Sequence, residues 1–200
     1  MRTQRTKKLV GMAIMAAIAG VLMYIEFPIP GIPPFLKLDI SGVPVLVGSF
    51  MYGPVAGVAI AAVKSMLHLF GTTSAGIGEL ADFLMTASFA FTAGIIYLKN
   101  KSRKGALIGA GAGIVVLTLV GVVANHFLII PFYSQLMPID AIIQACNAVN
   151  PAIKDMSGYL LFGVVPFNLL KGVVLSVITV GIYKRISVLF KAEGTSKKTV

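Results

Sequence analysis

Apolar residues dominate five stretches of the chain, at roughly 9–25, 41–70, 77–98, 105–133 and 159–183, and short polar or proline-rich segments separate them. A bilayer crossing takes about 20 apolar residues, so each stretch is long enough for one span. The 41–70 stretch is interrupted at Gly53-Pro54. Proline lacks the N–H that continues a helix, and it disfavours helix in the residue before it. This stretch is therefore either one kinked span or a hairpin of two shorter helices.

Charge decides between the two. In the hairpin, three basic clusters share one side: Arg2, Arg5, Lys7 and Lys8; then Lys99, Lys101, Arg103 and Lys104; then Lys184, Arg185, Lys191, Lys197 and Lys198. They hold 13 of the 17 Lys and Arg residues. Lys37 and Lys154 lie opposite, while Lys64 and Lys171 fall inside spans. A single span would instead put 10 basic residues outside against 5 inside. Cationic segments resist translocation, so the hairpin is preferred.

The expected fold is an all-α integral membrane protein of six transmembrane helices, near 8–25, 41–52, 54–70, 77–98, 105–133 and 159–190. They form one membrane domain over 1–191, and 192–200 reads as a cytoplasmic tail. The chain is expected to be multi-pass in the cell membrane with both termini cytoplasmic. The run Leu9–Ile25 is longer than a usual signal-peptide core, so a retained first helix is expected. The second helix, Ser41–Tyr52, would reach only about 18 Å and cannot cross a core of about 30 Å. It must dip partway and be shielded by neighbours. In transport proteins such short helices point to a binding site.

This topology puts six of the seven acidic residues (Glu26, Asp39, Glu79, Asp82, Asp140 and Asp155) on or near the outer side. The outer connections Glu26–Ile40 and Pro131–Gly158 are long, and the first is proline-rich. Such segments over a bundle suggest an extracellular lid loop above an outward-facing pocket. No internal repeat is evident, which weighs against an inverted-repeat transporter.

Composition agrees: 57% of residues are hydrophobic, 12% are charged and the mean hydropathy is +0.92. A soluble domain carries about twice that charge. The net charge of +10 does not signal nucleic acid, because the basic residues sit in short clusters between apolar runs. Cys146, the single cysteine, excludes an internal disulfide and reads as a small packing residue. No GxxxxGK[ST], HExxH or GxSxG motif occurs, and His68 and His126 lack partners at metal-ligand spacing. Neither an enzyme nor a cofactor is expected. Gly109-x-Gly111-x-Gly113 lies inside an apolar run and reads as close helix packing.

Polar residues within spans need a reason, because lipid penalises them. Asn168 and Lys171 share a face of the last helix at i, i+3, either for a ligand or as a structural pair with a carboxylate. Glu79 and Asp82 open the fourth helix, where the dipole favours acid; Glu79 is also a ligand candidate. Asn125 offers an amide to a ligand or to a neighbouring helix. Lys64 and His68 share a face at i, i+4 and are expected to pair inside the bundle. Asp39 reads as a helix cap acting with Ser41. On the first helix, Ala13 and Ala17, with Ala16 and Gly20, form small-xxx-small stripes that allow another helix to approach, within this chain or on a partner.

Several segments together resemble the riboflavin-binding S components of energy-coupling factor (ECF) vitamin transporters: Phe35-Leu-Lys-Leu-Asp39, Gly42-Val-Pro-Val-Leu-Val-Gly48, Tyr52-Gly-Pro-Val-Ala-Gly57, Gly76-Ile-Gly-Glu-Leu80 and Pro166-Phe-Asn-Leu-Leu-Lys-Gly172. The resemblance spans about Ala13 to Lys184. It implies a subunit that captures riboflavin from outside and works with a transmembrane T component and two ATPases, which would supply the missing phosphate loop. It implies a substrate site drawn from Phe35, Leu38, Asp39, Glu79, Asn125, Asn168 and Lys171, with Phe35 and Leu38 in the lid. It also implies that Ala13 and Ala17 meet the T component. Another vitamin such as thiamine or biotin, a standalone secondary transporter and an assembly protein remain the alternatives. The secondary transporter is disfavoured because no buried carboxylate pair is visible at mid-membrane.

Overall fold

In a computed structural model of the chain, residues 2–33 and 35–195 are described, with side chains for 4–33 and 35–182. The first helix, α1 (Arg2–Met23), leads into a short antiparallel pair of strands, β1 (Phe27–Pro28) and β2 (Lys37–Leu38). Phe27 lies opposite Leu38, and the Lys37 ammonium meets Glu26 at 2.7 Å beside them.

Next come α2 (Gly42–Tyr52) and α3 (Pro54–His68). Gly53, between them, has φ +101° and ψ 166°, a conformation that costs an L residue dearly. Pro54 then starts α3, where a missing N–H costs nothing. Together these two residues turn the chain back on itself. The arms are close enough that a Cβ on Gly57 would sit 2.7 Å from the Ser49 Cβ.

A tight turn at Leu69–Gly71 precedes α4 (Ile77–Lys99) and α5 (Arg103–Ala124). The Ser102 hydroxyl caps α5 by accepting from the Gly105 N–H at 3.1 Å. Gly109 and Gly113 of α5 lie against Ala93 and Phe89 of α4, whereas Gly111 faces open space. The glycine run is thus a helix-packing device. A π turn at Asn125–Ile129 carries α5 into the short α6 (Ile130–Tyr133). A second π turn, Leu160–Val164, joins α8 (Met156–Tyr159) to α9 (Val165–Thr195). The final five residues, 196–200, lie outside the described residues, so only 192–195 of the expected tail are seen, and they continue α9.

The Pro131–Gly158 connection holds an element that the sequence reading passed over, α7 (Ile139–Val149). Ile142 and Cys146, one turn apart, are its buried residues, and they pack with Ile130, Ile153 and Tyr159. Burial raises the Cys146 thiol pKa to about 11, as befits a packing residue.

Among the described residues, five helical runs are long and apolar enough to cross a membrane: Gln4–Met23, Pro54–Gly71, Ile77–Lys99, Arg103–Tyr133 and Met156–Ile182. The 11-residue α2 is too short, at about 16 Å. It is instead the axis of the bundle. Every residue from Gly42 to Phe50 is buried, and α1, α3, α4 and α9 surround it. Val43, Leu46, Val47 and Phe50 pack with Phe89, Ala93, Leu117 and Leu175. In lipid such packing rests on dispersion contacts and close fit, because the tails are as apolar as the side chains.

Candidate functional site

The site is built on charges that the helices carry inward. Lys64 and His68 lie one turn apart on α3, and Glu79 and Asp82 lie one turn apart on α4. The two helices bring them together as a ladder. His68 meets Glu79 at 2.9 Å, and Lys64 meets Asp82 at 2.6 Å. Thr72 and Ser74, from the loop before α4, donate to the same Glu79 carboxylate at 2.9 and 3.1 Å. Glu79 is therefore held from three directions.

Lys171 enters from α9 and joins two carboxylates, Asp39 Oδ2 at 2.8 Å and Asp82 Oδ1 at 3.0 Å. The other Asp39 oxygen accepts from the Ser41 N–H at 2.9 Å and from the Ser41 hydroxyl. Ser41 in turn accepts from Lys64 at 2.8 Å. Asp39 thus steadies the entry to α2 from three residues before Gly42, while Ser41, at the cap position itself, makes no side-chain cap bond. Burial works against the Asp39 charge, yet Lys171 and then Lys64 outweigh it and hold the carboxyl below its ordinary range. Two lysines and two aspartates, all buried, form one neutral network. Burying either sign alone would be prohibitive.

The network lies beneath a cavity of about 450 Å³. Its lining includes Phe35, Leu36, Lys37 and Asp39 from the segment before α2, and Glu79, Asp82 and Met85 from α4. Asn125, Tyr133, Phe167 and Lys171 complete the far wall. Over the mouth, the Phe35 ring stacks on Tyr133 with centroids 6.3 Å apart, and it lies 5.9 Å from Tyr159.

Asn125 begins the π turn after α5. Its Nδ2 donates to the Gly121 carbonyl at 2.8 Å, and its Oδ1 accepts from the Tyr159 hydroxyl at 2.8 Å. Asn168 packs against Gly121, where a Cβ would sit 2.6 Å from its Nδ2. Asn168 donates to the Val164 carbonyl at 2.9 Å, but its buried Oδ1 has no partner. Such an orphan acceptor calls for a reason.

Of the residues singled out in the sequence, Phe35, Asp39, Glu79, Asn125 and Lys171 therefore line one cavity. Asn168 stands behind the wall beside Asn125. Leu38, paired with Phe27 across the two short strands, is not among the lining residues. On α1 the alanine stripes divide: Ala16 and Gly20 are buried against the bundle, whereas Ala13 and Ala17 are exposed. Lys64 and His68 pair inside the bundle, as expected.

Two features add to the sequence reading. A buried carboxylate pair, Asp39 and Asp82, is bridged by Lys171 at the helix ends that the sequence reading puts on the outer side, so the expected lack of such a pair at mid-membrane is not contradicted; its charge is balanced by two lysines. Asp82 is also more than a dipole partner, because it joins Lys64 to Lys171. Neither the network around Ser41 nor the tyrosines at the mouth was singled out by local spacing. Among the described residues, no group of three His, Cys, Asp or Glu side chains is placed to hold a metal ion.

Comparison with known proteins places the chain among transporter components. Residues 7–183 match the family model described as ECF transporter, substrate-specific component. The riboflavin transporter RibU of Staphylococcus aureus (strain TCH60) is 35% identical over 184 residues, covering 92% of each chain. The riboflavin transporter FmnP of Bacillus subtilis (strain 168) is 32% identical over 179 residues, covering 87% of this chain and 88% of that one. A solved structure of the S component of a bacterial ECF transporter matches with TM-score 0.75 and 35% identity, covering 94% of this chain and 99% of that one.

Proposed function

This chain belongs to the ECF transporter substrate-specific components, and we propose that it captures riboflavin from outside the cell and delivers it inward with a T component and two ATPases. In this reading α2 is a sixth, partial membrane helix, both termini are cytoplasmic, and the β1–β2 segment is the extracellular lid. The protein is a membrane transport subunit and not an enzyme.

The observation that carries the reading is the cavity, with a part-filled ammonium at its floor. Lys171 has three protons to donate and spends two on Asp39 and Asp82. The third is free to meet a carbonyl of the flavin ring, which offers two carbonyl acceptors and one imide N–H. The Asn125 amide, in the cavity wall, is assigned to that imide, because its Oδ1 keeps a second lone pair beside the Tyr159 hydroxyl. Glu79 receives ribityl hydroxyls, and Phe35 covers the ring with Tyr133 behind it. The volume falls within the range for small-molecule sites, and the wall mixes apolar side chains with a few placed polar groups. Ala13 and Ala17, small and exposed on α1, are assigned to the T component.

Uptake into liposomes tests the proposal. Riboflavin should accumulate only when the chain is reconstituted with a T component, both ATPases and internal ATP. Accumulation by the chain alone under an ion gradient would replace this reading with a secondary transporter.

A further inference from the structure

A second recess opens at the opposite, basic end of the bundle, where the α2–α3 turn lies between the start of α1 and Leu98 at the end of α4. It encloses about 670 Å³. Its rim carries Arg5 and Lys8, one turn apart and both exposed. Among the described residues neither is ion-paired. Below the cations the wall is apolar: Leu9 and Met12 on α1, with Val55 and Ala59 on α3. Val55 is 73% exposed and Leu9 is 58% exposed. Arg5 to Met12 spans about 10 Å along the helix, so charge gives way to hydrocarbon over the depth of a lipid headgroup and its first methylenes.

We infer that this recess holds one anionic phospholipid, with its phosphate between Arg5 and Lys8 and an acyl chain along Leu9, Met12, Val55 and Ala59. Two cations without ion-pair partners at an apolar boundary attract anionic headgroups, and the surrounding leaflet supplies these attached to a chain that fits the wall. Basic pockets between membrane helices bind anionic headgroups on this principle. At 100° per residue Ala13 and Ala17 lie about 100° around α1 from the middle of this face, with Leu9 and Ala13, one turn apart, at the border between them.

The test is native mass spectrometry of the purified chain, titrated with phosphatidylglycerol or with phosphatidylcholine of the same acyl chains. A cation near the surface contributes about fivefold in affinity, so two give about thirtyfold preference for the anionic lipid. R5Q/K8Q should abolish that preference, while K101Q/K104Q, at the same end but outside the recess, should keep it. Ala59→Phe keeps both cations but fills the wall, and it should lower phosphatidylglycerol occupancy; it carries the test if R5Q/K8Q does not fold. Glycerol 1-phosphate should not displace the lipid, which separates an intact lipid from a free phosphate.

Equal affinity for the two lipids would overturn the assignment. So would a preference that survives R5Q/K8Q or Ala59→Phe, or one that falls as far in K101Q/K104Q. If R5Q/K8Q keeps the lipid preference but weakens assembly with the T component, the recess belongs to a partner helix and the proposal fails.

Discussion

Under the proposed function Lys171 has two separable tasks, balancing the buried carboxylates and donating to the ligand, and replacing it with methionine splits them. In Lys171→Met, Asp82 keeps Lys64 at 2.6 Å, but Asp39 loses its direct cation and keeps only the Ser41 hydrogen bonds, with Lys64 one hydroxyl away and shared between two carboxylates. A buried carboxylate stripped of its cation costs about 3–5 kcal/mol. At about 2–4 °C per kcal/mol for a chain of this size, melting should fall by on the order of 10 °C. Adding Asp39→Asn removes the excess charge, so K171M/D39N should recover most of that loss. Riboflavin affinity should not recover. Losing a hydrogen bond from a charged donor removes about 1.5–3 kcal/mol, roughly 10- to 150-fold in Kd. The assays are thermal melting in detergent and quenching of riboflavin fluorescence on titration. Wild-type affinity in K171M/D39N would refute the ligand role of Lys171. Unchanged melting in Lys171→Met would refute the charge network.

Other parts of the structure give separate tests. Gly53→Ala meets no atom within 4 Å but must adopt φ +101°, so pure backbone strain should cost about 1–3 kcal/mol, read as a lower melting temperature. Tyr159→Phe removes the hydroxyl that donates to Asn125 and leaves a buried acceptor unmet; a penalty of about 1–3 kcal/mol should lower the melting temperature by about 2–12 °C. Ala13→Leu should leave the riboflavin fluorescence titration unchanged, because the residue is exposed and remote from the cavity, yet it should reduce ATP-driven uptake once the T component must dock.

What the sequence made visible is what local physics controls. The break at Gly53-Pro54 follows from the covalent constraints of those two residues, and the shortness of α2 follows from it. Helix positions follow from apolar run length. The network did not follow, because Lys171 lies 132 residues from Asp39 and 89 from Asp82, and no spacing rule links them. Lys64 and Asp82 were each noticed, but as residues of separate helices. The helix α7 was legible in principle: Pro138 precedes it, Asp140 stands in its first turn, and Ile142 and Cys146 mark its buried side. A short stripe inside a long connection gives a weak signal against the spans around it. The π turns that place Asn125 and precede Asn168 each insert one residue into a helix, and tertiary packing selects them rather than composition.

The visible absorbance spectrum of the protein, purified from cells supplied with riboflavin, tests the central claim most directly. A site of this kind should carry the vitamin through purification, giving a flavin band at up to one equivalent per chain that diminishes in K171M/D39N. A colourless protein that also fails to quench added riboflavin would contradict the proposed function.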